Sequence, residues 1–304
     1  MTPLSMSIKS VMLVSLGASV LMLSACNKQA AETDAAPAAD ATTDAAPLNL
    51  KIATESSYKP FSYTDANGEV IGYEIDLTNA LCEQMQAKCE IISQDWDGLI
   101  PGLNAKKFDA IIAGMSITPE RQEVVDFTDP YFHSGIILIG KKGDDINVDG
   151  LKGIPVASQR ATVSAQYLQD SHPEANIKLY DTQDNAYLDL TSGRVRVMMS
   201  DKVTGVDWLK TEAGQGYEIK GAEITSPDGD AMGIAFRKGD PLVAKFNTAL
   251  GELKSSGKYD EITDRYFGTS TTAAAQTVTN NTVTAGEVDA VVEQEGDAVD
   301  VDAK

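Results

Sequence analysis

Short apolar runs alternate with segments of helical periodicity along most of this 304-residue chain. The runs at residues 89–93 and 195–199 have the length and composition of buried strands, and a helical segment follows each of them. Alternation of this kind is typical of a fold in which helices cover a largely parallel sheet. The sequence therefore predicts an α/β fold.

The alternation falls into two series. A hydrophobic strand at residues 135–141 opens the second series, and an apolar run at 231–237 leads back to two final helices, 241–256 and 259–267. Two α/β lobes joined by two extended crossings, near 134–139 and 231–237, are the simplest arrangement.

These crossings fix the expected lobe boundaries. We expect the first lobe to contain residues 48–136 and 232–268 and the second to contain 137–231.

The N-terminus resembles a lipoprotein signal. Lys9 precedes an apolar stretch that is shorter than a typical transmembrane helix, and the stretch ends in Leu-Ser-Ala-Cys at Cys26. This ending resembles the bacterial lipobox, in which the cysteine is lipidated and becomes the mature N-terminus; the alternative is an ordinary signal peptide that ends near a cysteine. We expect residues 1–26 to be the signal peptide and residues 27–47, which are rich in Ala, Thr, Asp and Pro, to be a flexible linker. We expect the remaining residues to lie in the periplasm or cell envelope, held at the membrane by the lipid on Cys26.

The charge of the chain is strongly acidic, at −20. Such a charge argues against nucleic acid as a partner. Residues 269–304 carry seven acidic residues, one lysine and no aromatics, and we expect them to form a disordered acidic tail.

The cysteines and histidines are few. With Cys26 used for lipid, Cys82 and Cys89 remain as an even pair in an oxidising compartment, which predicts a disulfide. His133 and His172 form no ligand cluster with them, so we expect no metal and no cofactor.

Arg121 stands where local physics favours an acid. Thr118 is predicted to be a helix N-cap, which puts Arg121 in the first turn of the helix. A cation there opposes the helix dipole, at a cost of about 0.3 to 1 kcal/mol. Together with Ser116 and the N–H groups of the turn, Arg121 would make a trap for a carboxylate. The alternative is a surface arginine paired with Glu120 or Glu123.

Ligands of open α/β sheets bind outside the carboxyl ends of the strands. The predicted strand ends are Thr54-Glu55, 114–116, 159–162 and Ser200-Asp201. Glu55 and Asp201 can hold cations, so a zwitterion with one extra positive charge would satisfy the set. Asp201 and Thr162 could instead be helix caps, and Tyr58 and Trp96 could be core residues or could sandwich a flat cation.

Several motifs together resemble the family of extracellular solute-binding proteins that serve polar amino acid ABC transporters. The motifs, in chain order, are ATESSYKPFSY (53–63), GEVIGYEIDL (68–77), WDGLIPGL (96–103), KFDAIIAGMSITPERQEVVDFTDPY (107–131) and GIAFRKGDP (233–241). The resemblance covers residues 48–267. It implies a type II periplasmic-binding-protein-like fold, with two lobes on a two-stranded hinge that close on an amino acid and deliver it to a permease in the inner membrane.

The resemblance also assigns roles. It implies that Arg121, helped by Thr162, binds the α-carboxylate and that Asp201 with Ser116 binds the α-ammonium group. It implies further that Tyr58 and Trp96 flank the ligand side chain, with Glu55 at its far end. Gly114 at the neighbouring strand end completes the ligand-binding set.

Within the family the chain is most similar to binding proteins for arginine, lysine, ornithine and histidine. A guanidinium can stack on two rings and donate to a carboxylate in its plane, so arginine is the first choice. Arg160 departs from this expectation by adding a positive charge near the site, and Arg196 stands where the family commonly has Asp.

Two other function classes stay open at this stage. The same fold resembles cyclohexadienyl dehydratases, for which Glu55 is the one obvious general acid. A ligand-sensing lipoprotein would need the same closure as a transporter component. We expect a binding protein, not an enzyme, that acts as a monomer.

Overall fold

The computed structural model describes residues 48–226 and 229–268. The predicted signal peptide, lipidated Cys26, the linker at 27–47 and the acidic tail at 269–304 lie outside the described residues. Among the residues that are described, none of the helices combines the length and the apolar character that crossing a bilayer requires.

The first series of elements runs to the hinge. Its strands and helices are β1 Asn49–Thr54, β2 Ser57–Tyr58, β3 Ser62–Thr64, β4 Val70–Ile71, α1 Tyr73–Gln84, β5 Lys88–Ser93, α2 Leu99–Asn104, β6 Ala110–Ile111, α3 Pro119–Val124, β7 Val125–Phe127 and β8 Phe132–His133. The predicted strand at 89–93 is present as β5, and the helical segment after it is α2. Helix α1 begins at Tyr73 and ends at Gln84.

The second series and the return segment follow. Their elements are β9 Ile136–Lys141, β10 Pro155–Gln159, α4 Val163–Ser171, β11 Asn176–Tyr180, α5 Gln183–Thr191, β12 Val197–Asp201, α6 Lys202–Leu209, β13 Tyr217–Ile219, β14 Ala231–Met232, β15 Ala235–Arg237, α7 Leu242–Ser255 and α8 Lys258–Phe267. The predicted single strand at 231–237 is two strands. The two strands pair with different partners, β14 with β8 in the hinge and β15 with β6 and β7 in the first sheet.

Each lobe is built on a five-stranded mixed sheet. The order is β5-β1-β6-β15-β7 in the first and β11-β10-β12-β9-β13 in the second. In each sheet one strand, β1 or β10, lies between two parallel neighbours. One strand on the other side, β15 or β9, runs antiparallel to both of its neighbours. The carboxyl ends of β1 and β10 therefore lie at topological switch points, where open α/β sheets bind ligands.

The hinge is the short antiparallel pair β8 and β14, in which His133 pairs with Ala231 and Phe132 with Met232. The predicted first crossing at 134–139 reaches too far along the chain, because Ile136 already begins β9 in the second sheet.

Each lobe has its own apolar core. Both sheets are covered by apolar clusters on their two faces. In the first lobe one cluster contains a group of edge-to-face and tilted rings, centred on Phe61, Tyr73, Phe132 and Phe267. These rings pack the hinge strand β8 against the last helix. The predicted disulfide between Cys82 and Cys89 is present and ties α1 to β5.

Candidate functional site

A narrow cavity lies between the two lobes. All eight predicted ligand-binding residues line it: Glu55, Tyr58, Trp96, Gly114, Ser116, Arg121, Thr162 and Asp201. Three further lining residues were not predicted: Ala113, Gln159 and Val163. The structure thus brings the predicted set together, with six members from the first lobe and two from the second.

Arg121 is held at the cavity by the start of α3. Thr118 is the N-cap, as predicted, and its hydroxyl accepts a hydrogen bond from the Arg121 backbone N–H at 3.2 Å. The guanidinium donates to the Ser116 carbonyl at 2.8 Å and, across the cleft, to the Ala161 carbonyl at 2.9 Å. Its carbon lies 5.3 Å from the centre of the Trp96 ring, within cation–π range. Arg121 therefore faces the cleft.

Asp201 provides a buried carboxylate from the second lobe. It occupies the N-cap position of α6, but its side chain makes no capping hydrogen bond. One carboxylate oxygen accepts a hydrogen bond from the Tyr58 hydroxyl of the first lobe, and Oδ1 is buried with no hydrogen-bond partner within the described residues. Burial raises the pKa of this carboxyl to about 6, against the opposing effects of the Tyr58 hydrogen bond and the Arg121 charge. Buried acceptors without a partner are few in proteins, which makes this carboxylate a candidate contact for a ligand.

Glu55 is the second buried acid of the cavity. Its Oε1 accepts hydrogen bonds from the Ser57 hydroxyl at 3.0 Å and from the Gln159 amide of the other lobe at 2.8 Å. Burial raises its pKa from 4.5 to about 7, and the nearby Asp184 and Asp95 add to the rise. A cation beside Glu55 would reverse that effect, because an opposite charge favours the ionised form.

Gly114 lets the strand end approach the Tyr58 ring. It has a φ of +58°, and a Cβ at this position would lie 2.4 Å from the ring, so glycine is required. Its N–H donates to buried Glu74 at 2.6 Å, and the Tyr131 hydroxyl donates to the same carboxylate oxygen. Burial raises the pKa of Glu74 to about 7. Glu74 thus supports the site from behind, a role that the sequence analysis missed.

The two aromatic residues pack against different neighbours. The Tyr58 ring stacks on Phe61, with centroids 5.4 Å apart, while Trp96 lies against the Arg121 guanidinium. One face of each ring is therefore in contact with the protein. The sandwich of a flat ligand cation between the two rings stays a prediction.

Thr162 is the N-cap of α4, which is one of the two roles that the sequence allowed for it. Its hydroxyl accepts a hydrogen bond from the Ala165 N–H at 3.2 Å and donates to the Gln159 carbonyl at 2.8 Å. The two unexplained arginines lie outside the cavity lining. Arg196 forms an ion pair with Asp144 at 2.9 Å, and Arg160 forms ion pairs with Asp97 and Asp181.

Two sheets of similar topology, a two-strand hinge and a cavity lined by both lobes define a two-lobed binding protein of the periplasmic type II class. Residues 50–269 match the model of the bacterial extracellular solute-binding proteins, family 3. The chain belongs to this family, which confirms the resemblance and the fold class predicted from the sequence.

The relatives agree with this assignment. The ABC transporter arginine-binding protein 1 of Escherichia coli K12 is 38% identical over 72% of this chain and 90% of its own length. The lysine/arginine/ornithine-binding periplasmic protein of the same organism is 38% identical over 73% of this chain and 89% of its own. The solved structure of an ancestral arginine-binding protein bound to arginine has a TM-score of 0.69, at 38% identity, and covers 72% of this chain and 98% of its own.

Proposed function

We propose that this protein is the substrate-binding component of an ABC transporter and that it captures a basic amino acid, arginine before lysine, ornithine or histidine. The observation that carries the proposal is the unmatched, buried Oδ1 of Asp201, in a cavity that Arg121 enters from the opposite lobe. A zwitterion carries a charge complementary to each of these two side chains. Its α-carboxylate would pair with Arg121 and its α-ammonium group with Asp201 and Ser116.

The charges that line the cavity favour a basic ligand. Two acids, Glu55 and Asp201, face one base, Arg121, which leaves one negative charge when all three are ionised. A neutral zwitterion would leave that charge buried and unmatched, whereas a ligand with an additional cation matches it. In this arrangement Glu55 meets the far end of the ligand side chain, and Tyr58 and Trp96 flank it.

The remaining lining residues complete the proposed site. Gly114 supplies backbone beside the Tyr58 ring. The Thr162 hydroxyl is occupied within its own lobe, so Thr162 would offer the α-carboxylate its backbone N–H at the start of α4. The names of the relatives, which bind arginine, lysine or ornithine, support the same ligand class.

The mechanism in this proposal is hinge closure. The first lobe takes the ligand, and the second closes over it by bending at β8 and β14. The closed form would then dock on the permease as a monomer.

A thermal-shift panel tests the function. The full chain is heated with each of the twenty amino acids and ornithine, because a ligand that binds only the folded state raises the melting temperature. We expect the largest rise with arginine, a smaller one with lysine and ornithine, and none for Arg121→Ala with any of them. A panel in which no amino acid raises the melting temperature would refute the proposal.

One observation favours an enzyme as the second candidate: the pKa of buried Glu55, near 7, suits a general acid. Incubation with prephenate or arogenate decides between the two. We expect neither substrate to be consumed, and turnover that disappears in Glu55→Gln would establish the dehydratase instead.

Transport, as opposed to sensing, requires a test in cells. We expect deletion of the gene to lower arginine uptake; unchanged uptake would favour a sensing lipoprotein. We also propose a periplasmic location with a lipid anchor on Cys26. The Cys26→Ser variant should leave the membrane fraction, and its retention there would contradict the anchor.

A further inference from the structure

Three consecutive residues of the second lobe contact the first lobe just after β10 ends. The Gln159 amide donates to Glu55 at 2.8 Å. The Ala161 carbonyl accepts hydrogen bonds from the Trp96 indole at 3.3 Å and from the Arg121 guanidinium at 2.9 Å. Ala161 has a φ of +55°, a conformation that is unfavourable for alanine and that turns the chain at this point. Residues 159–161 are called the latch segment below.

Arg160, the middle residue of the latch segment, bridges the lobes at the cavity rim. Its guanidinium lies 3.3 Å from the carboxylate of Asp97, beside Trp96 in the first lobe, and pairs through its other nitrogen with Asp181 in its own lobe. Arg160 does not line the cavity. Its positive charge is therefore matched by two carboxylates at the rim.

The two ion pairs have different consequences for closure. Asp181 belongs to the same lobe as Arg160, so this pair can persist when the lobes separate, and it holds the guanidinium at the rim. Asp97 belongs to the other lobe, so that pair exists only when the lobes are closed. Every opening of the cleft must break it.

We infer that Arg160 is a closure latch, a positioning residue that slows ligand release whatever the side chain of the amino acid. The inference rests on the proposed function for its ligand but not for the contact itself. Both partners are partly exposed, Arg160 at 43% and Asp97 at 45%, so water screens the pair. We expect its loss to speed release by about two- to five-fold, the range for exposed ion pairs.

Release rates test the latch. Fluorescence stopped-flow measures the dissociation of L-arginine from the full chain and from Arg160→Gln, with Arg196→Gln as the matched control. Arg196 also forms an exposed ion pair, with Asp144, but entirely within the second lobe. We expect Arg160→Gln alone to release faster, and the difference from wild type to shrink in high salt, where the Debye length is short.

A second variant tests the partner. Asp97→Asn should speed release by a similar factor, and the double variant Arg160→Gln/Asp97→Asn should be little faster than either single one, because both remove the same contact. If the two substitutions multiplied their effects on the release rate, Asp97 would not be the partner of Arg160. Slower release from Arg160→Gln would overturn the latch and show that Arg160 repels the cation of the ligand.

A ligand-free measurement separates this inference from the proposed function. Bioorthogonal spin labels replace exposed Lys107 in the first lobe and exposed Leu188 in the second, and their distance distribution is recorded without amino acid. We expect a smaller short-distance population in Arg160→Gln than in wild type or Arg196→Gln. Identical distributions in the three proteins would overturn the latch, whereas failure of wild type to bind arginine would overturn only the proposed function.

Discussion

In both lobes a central strand with parallel neighbours ends at the cavity: β1 just before Glu55, and β10 at Gln159. The first lobe surrounds its strand end with support, including the Glu74 hydrogen bond to Gly114 and the ring cluster around Phe61. The second lobe also supports a strand end, through the hydrogen bonds of Ser200 with Gln183 and Thr204, but it contributes only two of the eight predicted ligand-binding residues. The first lobe therefore provides most of the proposed ligand site, while the second supplies Asp201 and the latch segment when it closes.

The largest expected effect comes from the first lobe. Arg121→Ala removes the proposed partner of the α-carboxylate, which every amino acid shares, and should weaken all of them by about 100-fold or more. Calorimetric titration measures the affinities. Arg196→Ala, which loses an arginine from the other lobe's surface, serves as the control and should bind normally. If Arg121→Ala kept its affinity for any amino acid, the proposed carboxylate site would be wrong.

A smaller and selective effect is expected at Glu55. Glu55→Gln keeps the shape but loses the charge that we propose for the ligand cation, so arginine should bind about 10- to 100-fold more weakly. Glutamine, titrated in parallel, should change far less. Glu90→Gln, at an exposed position of the first lobe, is the control. Equal losses for arginine and glutamine would show that Glu55 does not choose the ligand.

Acid should weaken arginine binding by about ten-fold or more between pH 7.5 and pH 5.5. Burial raises the pKa of Glu55 to about 7 and that of Asp201 to about 6, so both carboxyls take up protons in this range when no ligand is present. A cationic ligand needs them ionised, and its binding must release those protons. Titration in buffers of different ionisation enthalpy counts the protons, and zero release at pH 6.5 would contradict the paired-acid site.

The same carboxyls have the opposite effect on the ligand-free protein. Because their folded pKa values lie above the unfolded ones, the folded state binds more protons between about pH 4.5 and 7, and their contribution to stability falls as the pH rises through this range. Glu74, with a pKa of about 7, acts in the same direction. Glu74→Gln should therefore flatten the dependence of urea stability on pH. An unchanged slope would exclude Glu74 as a titrating group.

The smallest expected effect on the site is that of the disulfide. Cys82→Ala/Cys89→Ala opens a short loop between α1 and β5, away from the cavity, and should lower the free energy of unfolding by about 2 kcal/mol. Urea denaturation measures this change. Arginine affinity should stay within two-fold of wild type. A large loss of affinity would mean that the support of the first lobe extends to this edge of the sheet.

Much of this arrangement was predictable from the sequence because the signals are local. The apolar runs and the Thr118 cap predict their own elements, and the strand-end rule selects Glu55, Thr162 and Asp201. The same rule included residues 159–162, but it did not predict a role for Gln159, because an amide that bridges two lobes has no local sequence signature. The partners of Arg160 were missed for the same reason, since Asp97 lies 63 residues away along the chain.

Other features depend on tertiary packing, which the hydrophobic periodicity of the sequence does not reveal. Glu74 sits in the first turn of α1, where an acid is ordinary, and its role appears only when β6 brings Gly114 against it. The strand predicted at 231–237 is divided because its first half pairs with β8 and its second half with β6 and β7, which are distant in sequence. The hinge position was wrong by a few residues because β9 continues the same hydrophobic run into the second sheet.

The most direct test of the two-lobe account is a crystal structure of the protein with L-arginine. The account predicts the α-carboxylate within hydrogen-bond distance of the Arg121 guanidinium, the α-ammonium group on Oδ1 of Asp201, and the ligand guanidinium beside Glu55. A ligand in the reverse orientation, or one that contacts a single lobe in a closed protein, would contradict it.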